Sequence, residues 1–166
     1  MQKPDVSTAA RIAAVAIEEL IRNDSTETGV LIASDGSIFS KRPGRSDKVS
    51  FPHWELENAS GMTFTHNHPN GYAHSLADVK LAVLYSMHEV RVVTSEFRHS
   101  VSMLKRSHLG QLDRTFSRVE IETIAAAHHD VRRSVLNPID FGKEVRHRTW
   151  QRLSAELGFH YWRQAP

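Results

Sequence analysis

Apolar positions recur at helical spacing near the start of the chain and then gather into short runs, which divides the sequence into elements before any chemistry is considered. Ile12, Val15, Ala16 and Leu20 predict a helix opened by Ser7 or Thr8, running to about Arg22, with these four on its buried face. Asn23-Asp24-Ser25-Thr26 ends it. Thr28 to Ala33 is a continuous apolar run, short enough for a central strand. Ser34-Asp35-Gly36-Ser37 is a hairpin signal, and Ile38-Phe39 begin the return strand. Lys41 to Asp47 reads as a basic loop and Lys48 to Phe51 as a short strand. Pro52 to Asn58 reads as a helical turn with Trp54 packing inward.

Met62 to His66 predicts another strand, broken by Pro69, Asn70 and Gly71. A helix from Ser75 to about His88 follows, striped by Val79, Ala82, Val83 and Met87. Val90 to Thr94 and Ser100 to Leu104 are strands joined by a turn. Leu109 to Leu136 and Asp140 to Leu157 predict two long helices, separated at Asn137-Pro138. Asp140 is expected to cap the second and Gly158 to end it, before a short aromatic tail of Phe159, Tyr161 and Trp162. The pattern predicts an α+β fold, a mixed sheet with helices on each side, with a helical C-terminal extension.

Composition narrows the classes. At 166 residues, one domain with a terminal extension is expected: a core over 1–106 and helices over 107–166. There are no cysteines, so any metal must be held by His, Asp or Glu. No secretory signal and no apolar run approaching the ~20 residues of a membrane span is found, so the expectation is a cytoplasmic protein with no membrane partner. Formal charge is +2. From Ser100 onward eleven Lys/Arg face seven Asp/Glu, against ten and twelve before it. Such a balance reads as a solvated helix face, so nucleic acid is not the expected partner; a protein partner for the C-terminal helices stays open.

The candidate chemistry lies in Gly61 to Asp78, GMTFTHNHPNGYAHSLAD. In an extended chain His66 and His68 share one face and Asn67 points the other way. Ser75 and Asp78 then stand at the start of the next helix. Ser75-x-x-Asp78 is also an ordinary capping sequence, but capping explains neither histidine. Two neutral imidazoles and one carboxylate make a catalytic zinc set that leaves a fourth tetrahedral position for water. His128-His129-Asp130 does not: neighbours on a helix point about 100° apart. An HNH nuclease spreads its motif over a ββα unit, whereas here the three letters are adjacent, and an amidohydrolase barrel needs about 250 residues.

His66-Asn67-His68-Pro69 followed by Ser75-x-x-Asp78 resembles the JAMM motif of the JAB/MPN metalloprotease superfamily, in its bacterial and phage HNHP-type branch. Glu27, followed by Gly29-Val30-Leu31-Ile32, resembles the family's upstream glutamate. Nine residues, Pro69 to Ala77, separate His68 from Asp78, one fewer than is usual in the family. The resemblance covers about Glu27 to Leu104. It implies an MPN-like (cytidine-deaminase-like) curved mixed sheet and one Zn2+ per chain on His66, His68 and Asp78. It also implies Glu27 as general base and Ser75 as oxyanion donor. The implied reaction is hydrolysis of a peptide or isopeptide bond, at the C-terminal tail of a ubiquitin-like or other protein substrate. The chain looks like a bare core, without the insertions that grip ubiquitin in eukaryotic members, so a thin tail of small residues in a narrow groove is the expected substrate. For a phage member the compartment would be the host cytoplasm. The alternative is a non-catalytic MPN-like scaffold or phage assembly protein that uses its helical C-terminus.

Overall fold

The computed structural model describes residues 3–165; residues 1, 2 and 166, inside the expected domain bounds, lie outside the described residues. The architecture is α+β, a six-stranded mixed sheet flanked by helices. In chain order the elements are α1 (Ala9–Ile21), β1 (Thr28–Ile32), β2 (Ile38–Pro43), α2 (His53–Glu57), β3 (Thr63–Asn67) and α3 (Leu76–Leu84). They continue with β4 (Glu89–Val93), β5 (Arg98–Ser102), α4 (His108–Arg132), α5 (Phe141–Leu157) and β6 (His160–Gln164). The strand order is β2-β1-β3-β4-β5-β6. Among the described residues only the β3/β4 pair is parallel, as expected where a helix, α3, makes the crossover.

β1 is buried along its whole length because both faces are covered. Val30 and Ile32 meet Ala10 and Ala14 of α1. Leu31 points the opposite way, into the larger core with Phe64, Val79, Val90, Phe116 and Trp150. That core is shared by the sheet, α3, α4 and α5, so both long C-terminal helices pack on the sheet face opposite α1. Trp150, fully buried, donates its indole N–H to the His74 carbonyl at 2.7 Å and so ties α5 to the loop before α3. No helix among the described residues is long and apolar enough to cross a membrane.

Several expectations are corrected. On α1, Thr8 is the N-cap and the helix ends at Ile21, but the buried face is Ala10, Ala14, Glu18 and Ile21. Ile12 and Leu20 are 57% and 76% exposed. Alanine lets the helix approach the sheet closely, and Glu18 is drawn inward by two arginines. It accepts from Arg91 at 2.6 and 3.1 Å and from Arg98 at 2.9 Å, and the Thr65 hydroxyl also donates to it. Apolar periodicity assigns a glutamate to the outer face and so misses an ion pair between α1 and two strands that lie far along the chain.

Trp54 is exposed and meets Phe39 edge-on, with centroids 6.3 Å apart. Its neighbour Glu55 goes inward instead, accepting from Arg42 and from the Ser40 hydroxyl. Lys48 to Phe51 has no regular structure, and β2 extends to Pro43 into the expected basic loop. Asn137, not Asp140, supplies a capping side chain before α5, accepting from the Ile139 N–H at the head of a 3-10 turn. Gly158 does end α5, at φ 79°. The expected aromatic tail is the strand β6, antiparallel to β5.

Candidate metal centre

Three pieces of chain meet at one end of the sheet. β3 brings His66 with its ring on the core face, and His68 follows just past the strand end on the same side. β1 lies antiparallel to β3 with Gly29 opposite His66, a register that carries Glu27 to the level of His68. The loop 69–74 then returns the chain, and α3 begins beside both histidines.

Ser75 is the N-cap of α3 and forms a complete capping box with Asp78. The Ser75 Oγ accepts from the Asp78 N–H at 3.1 Å, and Asp78 Oδ2 accepts from the Ser75 N–H at 2.7 Å. Capping and site chemistry are compatible here. The serine cap uses an oxygen lone pair and leaves the O–H free to donate, and the aspartate cap uses one lone pair of two.

His66 Nε2 and His68 Nε2 stand 3.0 Å apart, and Asp78 Oδ2 lies 3.6 Å from each. A tetrahedral ion with Zn–N of about 2.0–2.1 Å spaces its ligands about 3.3–3.4 Å apart, so the three distances bracket such a site. His68 Nδ1 lies 3.0 Å from the Tyr72 carbonyl, which can only accept. The ring therefore donates there and presents the Nε2 lone pair to His66 and Asp78. His66, His68 and Asp78 form a group that could hold a metal ion.

The Glu27 carboxylate is 3.8 Å from His68 Nε2 and 4% exposed. Its backbone is held on both sides. The Glu27 N–H donates to the Arg45 carbonyl at 2.7 Å, and the Glu27 carbonyl accepts from the Gly44 N–H at 2.7 Å. Asn67 completes the placement. Pointing away from the histidines, it accepts from the Thr28 N–H at 2.6 Å and donates to the Thr26 carbonyl at 2.9 Å. One amide side chain thus clamps the residues either side of Glu27.

The site's electrostatics follow from burial. Burial holds the His68 imidazole down to about 4, with His66 acting in the same sense. Burial also raises the Glu27 carboxyl; the neighbouring Asp78 adds to the rise while His66 opposes it. For Asp78 burial acts upward, but His66, His68 and His74 outweigh it and keep the carboxyl well below the usual carboxylate range. At neutral pH the group is a neutral imidazole on His68 facing an ionised Asp78, the protonation states that a cation requires.

Two residues of this neighbourhood escaped the sequence reading of site roles. Asn67 shows no signal beyond its place between two histidines. His74 is wholly buried behind the site, with Nε2 3.0 Å from the Val90 carbonyl, and burial lowers it to about 3. Its ring reaches that bond only because the loop folds over β4.

The Glu27, His68, Ser75 and Asp78 side chains line one cavity of about 480 Å3. No family model matches the chain, and no curated protein and no solved structure matches it.

Proposed function

We propose that this chain is a zinc-dependent hydrolase of peptide or isopeptide bonds with an MPN-like fold, acting on a protein substrate such as the tail of a ubiquitin-like protein. One observation carries the reading: two imidazole Nε2 atoms and the Asp78 carboxylate converge, with the Glu27 carboxylate 3.8 Å from His68. The mixed sheet, with α3 crossing between the parallel β3 and β4, supports the MPN-like assignment.

When bound, Zn2+ supplies Lewis acidity, bringing the ionisation of water into the neutral range. The chain's own residues do the rest. Glu27 takes one proton from the attacking water as its oxygen bonds the carbonyl carbon. It then passes that proton to the nitrogen as the C–N bond breaks, leaving an acid and an amine. A carboxyl raised by burial is suited to both halves, because its proton affinity lies nearer that of its partners. Ser75 keeps its O–H available to donate to the oxyanion while its lone pair caps α3. Asn67 holds the backbone either side of Glu27 in register with His68.

The test is metal analysis of the purified protein together with cleavage of a panel of ubiquitin-like fusions and linear peptides by wild type and Glu27→Gln. One zinc per chain, with turnover lost and zinc retained in Glu27→Gln, is the expected result. Protein that binds no zinc and cuts nothing would leave the scaffold reading.

A further inference from the structure

The cavity beside the candidate metal centre has an apolar lining built in register with the ligands. Phe64 precedes His66 by two residues on the same face of β3, about 6–7 Å along the strand. Leu81 follows Asp78 by three residues on α3, about 4.5 Å along its axis. β3 runs toward the ligands and α3 runs back from them, so both apolar residues lie on the same side of the site. The Phe64 ring stacks on His66 with centroids 4.5 Å apart and planes 6° apart. Phe51 meets Phe64 edge-on at 5.5 Å.

The lining continues through Phe51 into the irregular segment that holds Val49 and Phe51, with Leu56 of α2 beside it. That segment lies tightly over β1 at Gly29, where a Cβ would stand 2.9 Å from Val49 Cγ2 and 3.0 Å from Phe51 Cζ. Val49, Phe51, Leu56 and Leu81 are each only half-buried: they pack on the core and still line the cavity. The volume of about 480 Å3 is room for a large side chain together with the backbone that bears it. A tail of glycines would leave this apolar surface wet, whereas a leucine or phenylalanine side chain would cover it.

Resting on the hydrolase reading above, we infer that the substrate residue flanking the scissile amide bears a bulky apolar side chain, seated on the continuous apolar lining that Phe51, Phe64 and Leu81 form with Val49 and Leu56 beside the ligands. Substrates ending in small residues are then the poor ones. Specificity lies in the irregular segment after β2 and in the second turn of α3, not in the ligands.

The test uses two series of peptidyl hydroxamates with Gly, Ala, Leu or Phe beside the metal-binding head, one series on the acyl side and one on the amine side. They are titrated calorimetrically into zinc-loaded protein whose metal content has been measured first. In one series Leu and Phe bind at least tenfold tighter than Gly, about 1.4 kcal/mol. Leu81→Trp, which fills the cavity, loses that preference while keeping one zinc per chain; Val49→Phe does the same from the segment after β2 if Leu81→Trp does not fold. Affinities within twofold of one another in both series, with one zinc bound, overturn the inference and leave the hydrolase reading standing. Failure to bind zinc overturns both, and the metal analysis shows which has occurred.

Discussion

His68 is held from both sides of its ring: Nδ1 lies 3.0 Å from the Tyr72 carbonyl while Nε2 lies 3.0 Å from His66 Nε2. The carbonyl fixes the tautomer, so the nitrogen facing His66 bears a lone pair. Removing this ring removes one ligand of three. His68→Ala is expected to lower zinc content from one per chain to below a tenth, measured by atomic emission after dialysis. Wild-type protein stripped with chelator should melt several degrees lower and recover when zinc is restored, because a ligand of the native state alone stabilises it.

Glu27 touches no cation directly in the proposed mechanism, so its effects separate. Glu27→Gln is expected to keep zinc and to lower kcat by at least two orders of magnitude. Burial raises the Glu27 carboxyl, with His66 opposing and Asp78 adding to it, so holding the ionised carboxylate costs the folded chain stability. Removing that charge should leave the metal-free protein at least as stable as wild type above pH 5, as read by thermal melts. A variant that loses zinc would contradict the role of base.

Acid should unfold the metal-free protein early. Burial lowers His68 to about 4 and His74 to about 3, from ordinary values of 6.5. The unfolded chain then takes up protons below pH 6.5 that the folded chain refuses. The stability these groups contribute is complete above pH 6.5 and is lost as pH falls toward 4 and 3. At pH 5 each costs about 2 kcal/mol relative to neutral pH. Urea titrations at pH 7, 6 and 5 check this, and His74→Gln should flatten the dependence. With zinc present, metal occupancy and turnover should fall together as pH approaches 4, where protons begin to compete for the His68 imidazole.

The Glu18 carboxylate is the hub of a buried network and tests α1. Glu18→Ala would leave the Arg91 and Arg98 guanidinium groups, each 1% exposed, without their shared partner. Removing one member of a buried ion pair costs about 3–5 kcal/mol, so the variant is expected to be strongly destabilised in denaturant titrations. Glu18→Gln, which keeps an acceptor, should lose less.

Asn67→Ala separates positioning from ligation. It removes the side chain that clamps Thr26 and Thr28 around Glu27. Zinc content should stay near one per chain while kcat falls about tenfold or more, since a misplaced base is slow even when the cation is held.

Much of the site could be read from the chain because its spacing is local. His66 and His68 share a face through the two-residue period of a strand, and Ser75 and Asp78 share a turn through the capping box; neither depends on distant contacts. The order of most elements, the β1–β2 hairpin at Asp35-Gly36 and the apolar stripe of α3 follow from the same short-range periodicities. What required the tertiary structure is everything decided between segments far apart in sequence. Glu27 reaches His68 only through the β1–β3 register, and Asn67 clamps it across about 40 positions. Ile12 and Leu20 face outward because Glu18 on the other side of α1 pairs with arginines more than 70 residues on. The aromatic tail becomes β6 because β5 offers it an open edge. A backbone edge or a buried counter-charge leaves no mark on the residues that it will recruit, since the stabilising partner exists only once the sheet has formed.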